Sequence, residues 1–298
     1  MDKFLKPGMY STAFWAVDKV VLAYSTLSTA LLVGWWSEIP NAGFHVAWHL
    51  VAIALLIYQV KRPNRTTWVF RNWYVLFYVA SCYREMALYI PAVRRPAADQ
   101  WLADLDYRFW GANPTVWLER ISSPPLTELL QVCYTLFIPV VLFVAVLLWR
   151  RRLYYEFQYY AFLIALGFLM SYVGYFIVPA LGPRFLLEHL QHTVLQGMWF
   201  FHGMQTWLDR LESVNYDCFP SGHTEMTILA WWGSRMVSNR LFKAYFAYTP
   251  VLIFATVYLR YHYTIDVLAG AVLAAGLILT APVIYRRLSK GGVAIGGC

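Results

Sequence analysis

The sequence is poor in charged residues. Asp, Glu, Lys and Arg make up only 13% of its 298 residues, about half of what a soluble domain carries. Hydrophobic residues make up 60% and aromatic residues 18%, and Trp and Tyr in such numbers suit the two interfaces of a lipid bilayer. This composition excludes an ordinary soluble domain and predicts an integral membrane protein. The net charge of +8 needs no nucleic-acid partner, because basic residues beside membrane spans are expected on cytoplasmic loops.

Cysteine is also scarce, and two familiar patterns are missing. Cys82, Cys133, Cys218 and Cys298 are scattered without any CxxC spacing, which argues against a metal knuckle or a disulfide framework. The segment "MDKFLKPGMYSTAFW" lacks the short apolar stretch and the small residues of a cleavable signal peptide. We therefore expect the first span to act as its own insertion signal.

The predicted fold is an all-α, polytopic transmembrane helical bundle of about eight spans, since a membrane helix needs roughly 20 mostly apolar residues. The third span is the least typical, because "CYREMALY" places Arg84 and Glu85 inside it. An ion pair or a water-facing position would accommodate these charges. The predicted spans are 15–36, 43–60, 70–92, 125–149, 155–180, 221–237, 243–260 and 262–285.

The loops between these spans differ in charge. The segments 61–71, 150–152, 235–243 and 286–290 are strongly basic, whereas 93–124 and 181–220 mix both signs. With eight spans, every basic loop falls on one side of the membrane and every mixed loop on the other. This predicts a multi-pass protein of the cell (inner) membrane with both termini cytoplasmic and the mixed loops outside, although an internal membrane would give the same pattern. We expect 185–217 to lie over the outer face as a partial cover.

Two segments carry candidate chemistry, and the predicted topology places both at the outer boundary. In "CFPSGHTEM", Ser221, Gly222 and His223 open the sixth span; in "YLRYHYTIDVLAG", His262 lies between the last two spans. Asp266 follows His262 by four residues and so shares its helix face. A carboxylate there can bind one ring nitrogen and leave the other as a lone-pair nucleophile. His262, Asp266 and His223 are therefore the candidate catalytic residues.

The residues around these histidines suit a phosphate group. Ser221 and Gly222 begin a helix, where free N–H groups and the helix dipole favour anions, and His223 can protonate a leaving oxygen. Arg260, and Arg184 in "PALGPR", can add bidentate charge. The reaction suggested is phosphoryl transfer through a phosphohistidine, with electrostatic stabilisation of the transferred group.

These phrases resemble a known family. "PSGH" followed by "HYTID" is similar to the second and third signature motifs of the type 2 phosphatidic acid phosphatase superfamily. "PALGPR" and the longer "YLRYHYTIDVLAG" are more similar to its membrane branch of inositol phosphorylceramide and sphingomyelin synthases. The resemblance covers roughly 100–285 and implies a helical bundle that works without metal or cofactor at the outer membrane face.

The resemblance also implies roles for individual residues and a division of the chain. His262 would be the nucleophile, Asp266 its orienting partner and His223 the general acid, while Ser221, Gly222 and an arginine would bind phosphate. Residues 93–285 would form the catalytic core, whose five spans are the last five. Residues 1–92 would be an N-terminal accessory region of three spans, and 286–298 a cytoplasmic tail.

The sequence departs from the phosphatase pattern in its arginines. The family has an arginine six residues before the nucleophilic histidine, where this chain has Thr256, and no Lys-x6-Arg-Pro motif is present. Arg260 would substitute from a different angle, and "GPR" at 182–184 is the nearest candidate for the missing motif. These departures weaken phosphatidic acid itself as the expected substrate.

Three functions are compatible with the sequence. The first is a hydrolase acting on a lipid phosphate or pyrophosphate. The second is a phosphotransferase that moves a phospho-headgroup from a phospholipid to ceramide or diacylglycerol. The third is a non-enzymatic membrane scaffold or transporter. The partner is a membrane lipid in the first two cases, and the sequence leaves the oligomeric state open. His45 and His49 have metal-ligand spacing, but no carboxylate or cysteine lies near them in the sequence, so we predict no metal site.

Overall fold

The computed structural model describes residues 11–93, 97–211 and 216–289. Of these, 79% are helical and none lies in a strand, although Ala180 and Asp217 form an isolated bridge. The predicted all-α fold is therefore confirmed. The α-helices are α1 (Ala16–Gly34), α2 (Ala42–Lys61), α3 (Arg65–Val93), α4 (Asp99–Trp110), α5 (Pro114–Trp117), α6 (Pro124–Thr135), α7 (Phe137–Arg150), α8 (Tyr154–Ile177), α9 (Pro183–Leu186), α10 (Phe201–Leu211), α11 (Gly222–Ser234), α12 (Asn239–Tyr258) and α13 (Thr264–Ser289).

Helices occupy all eight predicted span positions, with differences in detail. By length and hydropathy α1, α2, α8, α12 and α13 could each cross a membrane, and α6 with α7 forms a sixth candidate that is bent by 43°. The charged α3 is not among these candidates. Neither is α11, whose 13 residues extend about 20 Å at 1.5 Å per residue, less than the ~30 Å of a bilayer core.

The core is continuous between the N-terminal helices and the rest of the bundle. Helix α11 lies at the centre, against α7, α8, α12 and α13, while α1 and α3 both pack against α8. Buried side chains from α1, α3, α8, α11 and α13 belong to one apolar cluster. The predicted boundaries at 92 and 285 remain predictions. Arg286 and Arg287 still belong to α13, and residues 290–298 of the predicted tail lie outside the described residues.

Two clusters of polar side chains hold the N-terminal helices together. The Arg71 guanidinium of α3 donates to Asp18 of α1, with Nε 3.0 Å from Oδ2. Glu85, also on α3, lies between the two histidines of α2: its carboxylate oxygens are 3.0 Å from His45 Nδ1 and 3.1 Å from His49 Nε2. Two histidine rings therefore accommodate Glu85, whereas Arg84 is exposed. The expectation that no carboxylate accompanies these histidines was wrong, because the partner comes from the neighbouring helix.

Candidate active site

His223 and His262 meet between the start of α11 and the loop that follows α12. His262 Nε2 lies 3.5 Å from His223 Nδ1. The loop reaches this position because Arg260 adopts a left-handed conformation with φ of 67°. The backbone N–H groups of Tyr261 and His262 then donate to the Thr256 carbonyl at 3.0 and 3.1 Å. Thr256, which stands at the family's arginine position, is fully buried, so its carbonyl helps to position His262 while its side chain stays in the core.

The tautomer of His262 is fixed by a backbone carbonyl. His262 Nδ1 is 2.9 Å from the carbonyl oxygen of Cys218. A carbonyl can only accept a hydrogen bond, so Nδ1 carries the ring proton and donates it there. Nε2 of the neutral ring therefore keeps its lone pair, and it is this nitrogen that faces His223.

Asp266 positions His262 mostly through hydrogen bonds to Cys218 and Tyr263. Its Oδ2 lies 3.7 Å from His262 Nδ1, beyond hydrogen-bonding distance. The same oxygen accepts hydrogen bonds from Cys218 Sγ at 2.8 Å and from the Tyr263 N–H at 2.9 Å. The structure thus brings Asp266 close to His262 without a direct hydrogen bond. Its carboxylate lies beside the ring and holds Cys218 and Tyr263 in place.

The thiol of Cys218 remains protonated. Burial, with the carboxylate of Asp266 beside it, raises the pKa of the Cys218 thiol well above its ordinary value. The thiol therefore serves as a hydrogen-bond donor to Asp266. The carbonyl of the same residue orients His262, so Cys218 links the two catalytic candidates of this loop.

Ser221 and Gly222 form the start of α11, next to His223. The Ser221 hydroxyl caps the helix by accepting from the Thr224 N–H at 3.3 Å, and the Ser221 N–H donates to the Asp266 carbonyl at 3.0 Å. A Cβ atom on Gly222 would lie less than 3.0 Å from the hydroxyl oxygen of Tyr175 on α8. Glycine is therefore required here by a close approach between helices, a reason that the sequence did not indicate.

Aromatic rings form the wall behind His223. Tyr134 stacks on the His223 ring with centroids 4.4 Å apart, and Phe137 contacts it at the same centroid distance. Tyr134 also stacks on Tyr261, again at 4.4 Å. Tyr134 and Phe137 flank the break between α6 and α7, so the bend in this broken helix places both rings beside His223.

The two candidate arginines lie beside this site but bind carboxylates. Arg260 donates to Glu119 at 2.9 Å and to Gln191 at 2.9 Å. Arg184 donates to Asp209 at 2.9 Å and places its guanidinium 5.2 Å from the ring centroid of Tyr261. Their carboxylate partners come from 114–121 and 183–211, which we call the cover. Arg260 thus joins the histidine loop, residues 259–263, to the cover, whereas the pair of Arg184 and Asp209 lies within the cover.

Three acidic residues that the sequence did not single out hold these segments in place. Asp99 accepts from the N–H groups of Leu181 and Gly182 at 2.8 and 2.7 Å. Asp106, seven residues later on α4, accepts from the N–H groups that begin α13. Glu128 accepts from four successive N–H groups, those of residues 198–201. The spacing of the two aspartates, two helical turns apart, was a signal for a shared face; nothing nearby in the sequence marked Glu128.

Asp217 connects the site to the N-terminal helices. Its carboxylate accepts a hydrogen bond of 2.6 Å from the Tyr83 hydroxyl of α3. Burial raises the pKa of Asp217 above its ordinary value, and the hydrogen bond from Tyr83 and the nearby His262 oppose this rise. The N-terminal helices therefore contact the loop that carries Cys218.

Comparison with known proteins identifies one family. The model of the PAP2 superfamily matches residues 100–280, a range that includes the cover and every catalytic candidate described above. No curated protein matches the chain, and no solved structure matches it.

Proposed function

The chain belongs to the PAP2 superfamily, and on that premise we propose that it is an integral membrane lipid phosphatase that hydrolyses a lipid phosphate or pyrophosphate through a phosphohistidine. The observation that carries the proposal is the pairing of the two histidines. His262 presents a lone pair at Nε2, because Nδ1 donates to Cys218, and His223 lies 3.5 Å away on another helix. Superfamily membership and the apolar helices support a phosphatase-type reaction at a membrane.

In the first step, His262 Nε2 attacks phosphorus and forms a P–N bond. The bond between phosphorus and the leaving oxygen breaks, and His223 donates a proton to that oxygen. The His262 ring then carries positive charge. The Cys218 carbonyl, which accepts from Nδ1, and the carboxylate of Asp266 at 3.7 Å stabilise that charge.

In the second step, water resolves the intermediate. His223, now without its proton, takes one from the attacking water as the P–N bond breaks. Inorganic phosphate leaves, and both histidines return to their starting states. The aromatic wall of Tyr134 and Phe137 keeps the His223 ring in one orientation for both proton transfers.

Phosphate oxygens would be held by the start of α11 and by arginine. The N–H groups of Gly222 and His223 belong to the first helical turn, where no intrahelical acceptor exists, and the helix dipole favours an anion there. Arg184 and Arg260 would reach the phosphate by exchanging the carboxylates of the cover for phosphate oxygens. The substrate would enter sideways from the bilayer of the cell membrane, with the site on the outer face and both termini cytoplasmic.

A transferase is the second candidate, and the cover is the observation that favours it. Glu119 fastens the cover to Arg260 of the histidine loop, and Glu128 fastens it to α6. A covered site excludes the water that would hydrolyse the intermediate. A lipid hydroxyl, such as that of ceramide or diacylglycerol, would then take the place of water. This reaction uses the same histidines and differs only in the second step.

The test offers purified protein in detergent a panel of lipid phosphates, lipid pyrophosphates and phospholipid donors, with and without ceramide or diacylglycerol. Release of inorganic phosphate supports the hydrolase, and a new phospholipid supports the transferase. His262→Ala should abolish turnover while the protein stays folded, and His189→Ala, an exposed histidine of the cover, should retain it. Vanadate, which mimics five-coordinate phosphorus, should inhibit. Full turnover by His262→Ala would overturn the mechanism, and absence of any product would leave a scaffold or transporter.

A further inference from the structure

We infer that Cys218, His262 and Asp266 form an inhibitory binding site for a divalent cation of the zinc class. The inference rests on the proposed function, in which Nε2 of His262 attacks phosphorus. One sulfur, one nitrogen and one oxygen from these side chains lie within 4.8 Å of one another. Thiolate, imidazole and carboxylate are the three ligand types that zinc takes in proteins.

Two of the three distances among the donor atoms are close to those of a tetrahedral zinc site. Zinc bonds of about 2.3 Å to sulfur and about 2.0–2.2 Å to nitrogen and oxygen place sulfur about 3.6 Å from either ligand, and nitrogen about 3.4 Å from oxygen. Here Cys218 Sγ is 3.6 Å from His262 Nδ1, and that nitrogen is 3.7 Å from Asp266 Oδ2. The contact between Sγ and Oδ2, now a hydrogen bond of 2.8 Å, would lengthen when the thiol proton is lost.

A second observation points to a ligand at this place. Asp266 is fully buried, yet its Oδ1 has no hydrogen-bond partner among the described residues. A buried carboxylate oxygen without a partner is costly, and a cation held by both oxygens of the Asp266 carboxylate would offset that cost. Neither Cys133 nor Cys82 belongs to a comparable group of metal-binding side chains within the described residues.

Cation binding at Nδ1 would remove the nucleophile. Nδ1 now carries the ring proton and donates it to the Cys218 carbonyl at 2.9 Å. A metal bond at Nδ1 needs the lone pair of that nitrogen, so the proton of the neutral ring moves to Nε2. Nε2 then has no lone pair with which to attack phosphorus. Cys218 loses its thiol proton to solvent, so one proton is released for each cation bound.

The test measures cation binding separately from turnover. Purified protein is titrated with Co²⁺, whose bond to a thiolate gives a charge-transfer band in the near ultraviolet, and then with Zn²⁺, which should displace it. The same Zn²⁺ series is applied to turnover, and a chelator should restore the activity. We expect one cobalt site per chain and full inhibition at zinc saturation.

Cys218→Ser is the diagnostic variant because serine keeps a hydroxyl donor for Asp266 but supplies no thiolate. It should lose the cobalt band and should need about tenfold or more zinc for half-inhibition, scored against its own activity without zinc. Cys133→Ser is the matched control and should behave like the unmodified chain. A cobalt band that persists in Cys218→Ser, or zinc inhibition that is unchanged there, would overturn the inference.

The two proposals fail in different ways. If no lipid substrate is turned over, the proposed function fails, while the cobalt titration still decides whether the site exists. If turnover is found but saturating zinc neither binds nor inhibits, only the cation site is wrong. If zinc inhibits although no cobalt–thiolate band forms, and His49→Ala rather than Cys218→Ser removes that inhibition, the cation binds instead at the cluster of His45, His49 and Glu85, which contains no thiol, and the inference is overturned.

Discussion

Replacing Gly222 by alanine should damage the site through a neighbouring helix. The new Cβ would lie less than 3.0 Å from the Tyr175 hydroxyl oxygen, whereas ordinary carbon–oxygen contacts begin at about 3.3 Å. The start of α11 or the Tyr175 ring must therefore move by several tenths of an ångström or more. Overpacking of this kind costs about 1–3 kcal/mol. Since His223 is the next residue, and a 1 Å misplacement can lower a rate about 100-fold, we expect turnover to fall by about one to two orders of magnitude.

A second substitution should repair the first. Tyr175→Phe removes the hydroxyl, after which the nearest atom to the new Cβ is the ring carbon Cζ at 3.7 Å, an ordinary contact. The double variant should therefore recover most of the stability and turnover that Gly222→Ala loses. Tyr175→Phe alone should change little by comparison. Gly276→Ala on α13 is the matched control, because nothing lies within 4 Å of a Cβ there.

The assay combines thermal unfolding in detergent with turnover of the best substrate from the lipid panel. A double-mutant cycle compares the unmodified chain, Gly222→Ala, Tyr175→Phe and the double variant. It gives the coupling free energy between the two positions, expected at about 0.5–3 kcal/mol. Wild-type turnover by Gly222→Ala would refute the steric reasoning. A double variant that is stable but still inactive would show instead that glycine is needed for the approach of the phosphate.

Three further perturbations follow from the contacts of single acidic residues. Asp106→Ala should lower stability by about 1–3 kcal/mol and reduce turnover, because it leaves the first N–H groups of α13 without their acceptor. Asp104→Ala, an exposed neighbour, is the control. Equal melting temperatures of the two variants would contradict the role of Asp106 as that acceptor. Asp217→Asn should flatten the dependence of melting temperature on pH. The raised pKa of Asp217 gives a stabilising contribution that is complete below about pH 3.9 and is lost as the pH rises through the raised value, so an unchanged profile would contradict it. Glu85→Gln should lower the melting temperature and leave turnover nearly intact, because the contacts of Glu85 with the two histidines join α2 to α3. Loss of turnover at an unchanged melting temperature would contradict this prediction.

The convergence of the two histidines followed from topology. Each motif lies at the end of a predicted helix, and the alternation of basic and mixed loops placed both ends at one boundary. The all-α bundle was predictable for the same reason, because apolar segments of about 20 residues leave few other structures open. The predicted sixth span, 221–237, runs slightly past the end of α11 at Ser234, because residues 235–237 form a turn.

Contacts made by the backbone and contacts between helices were not predictable. The partner that fixes the His262 tautomer is the carbonyl of Cys218, and every residue has a carbonyl, so no residue type signals this role. The i, i+4 spacing instead pointed to Asp266 as the hydrogen-bond partner of the ring. Its Oδ2 lies 3.7 Å from His262 Nδ1, too far for that hydrogen bond. Glu85 and Tyr175 meet residues of other helices, and a single sequence contains no record of which helix faces lie against each other.

The start of α11 ties the proposed chemistry to the end of a long apolar helix. A Cβ atom on Gly222, its first residue, would meet Tyr175, which lies close to the end of α8. At the other end of α11, a Cβ atom on Gly233 would meet Tyr160, well inside α8, so α11 falls short of α8 there and not beside His223. The histidine therefore lies level with the end of α8, a helix that is long and apolar enough to cross a membrane. On the proposed function, a lipid phosphate at the hydrocarbon boundary would meet His223 at that depth.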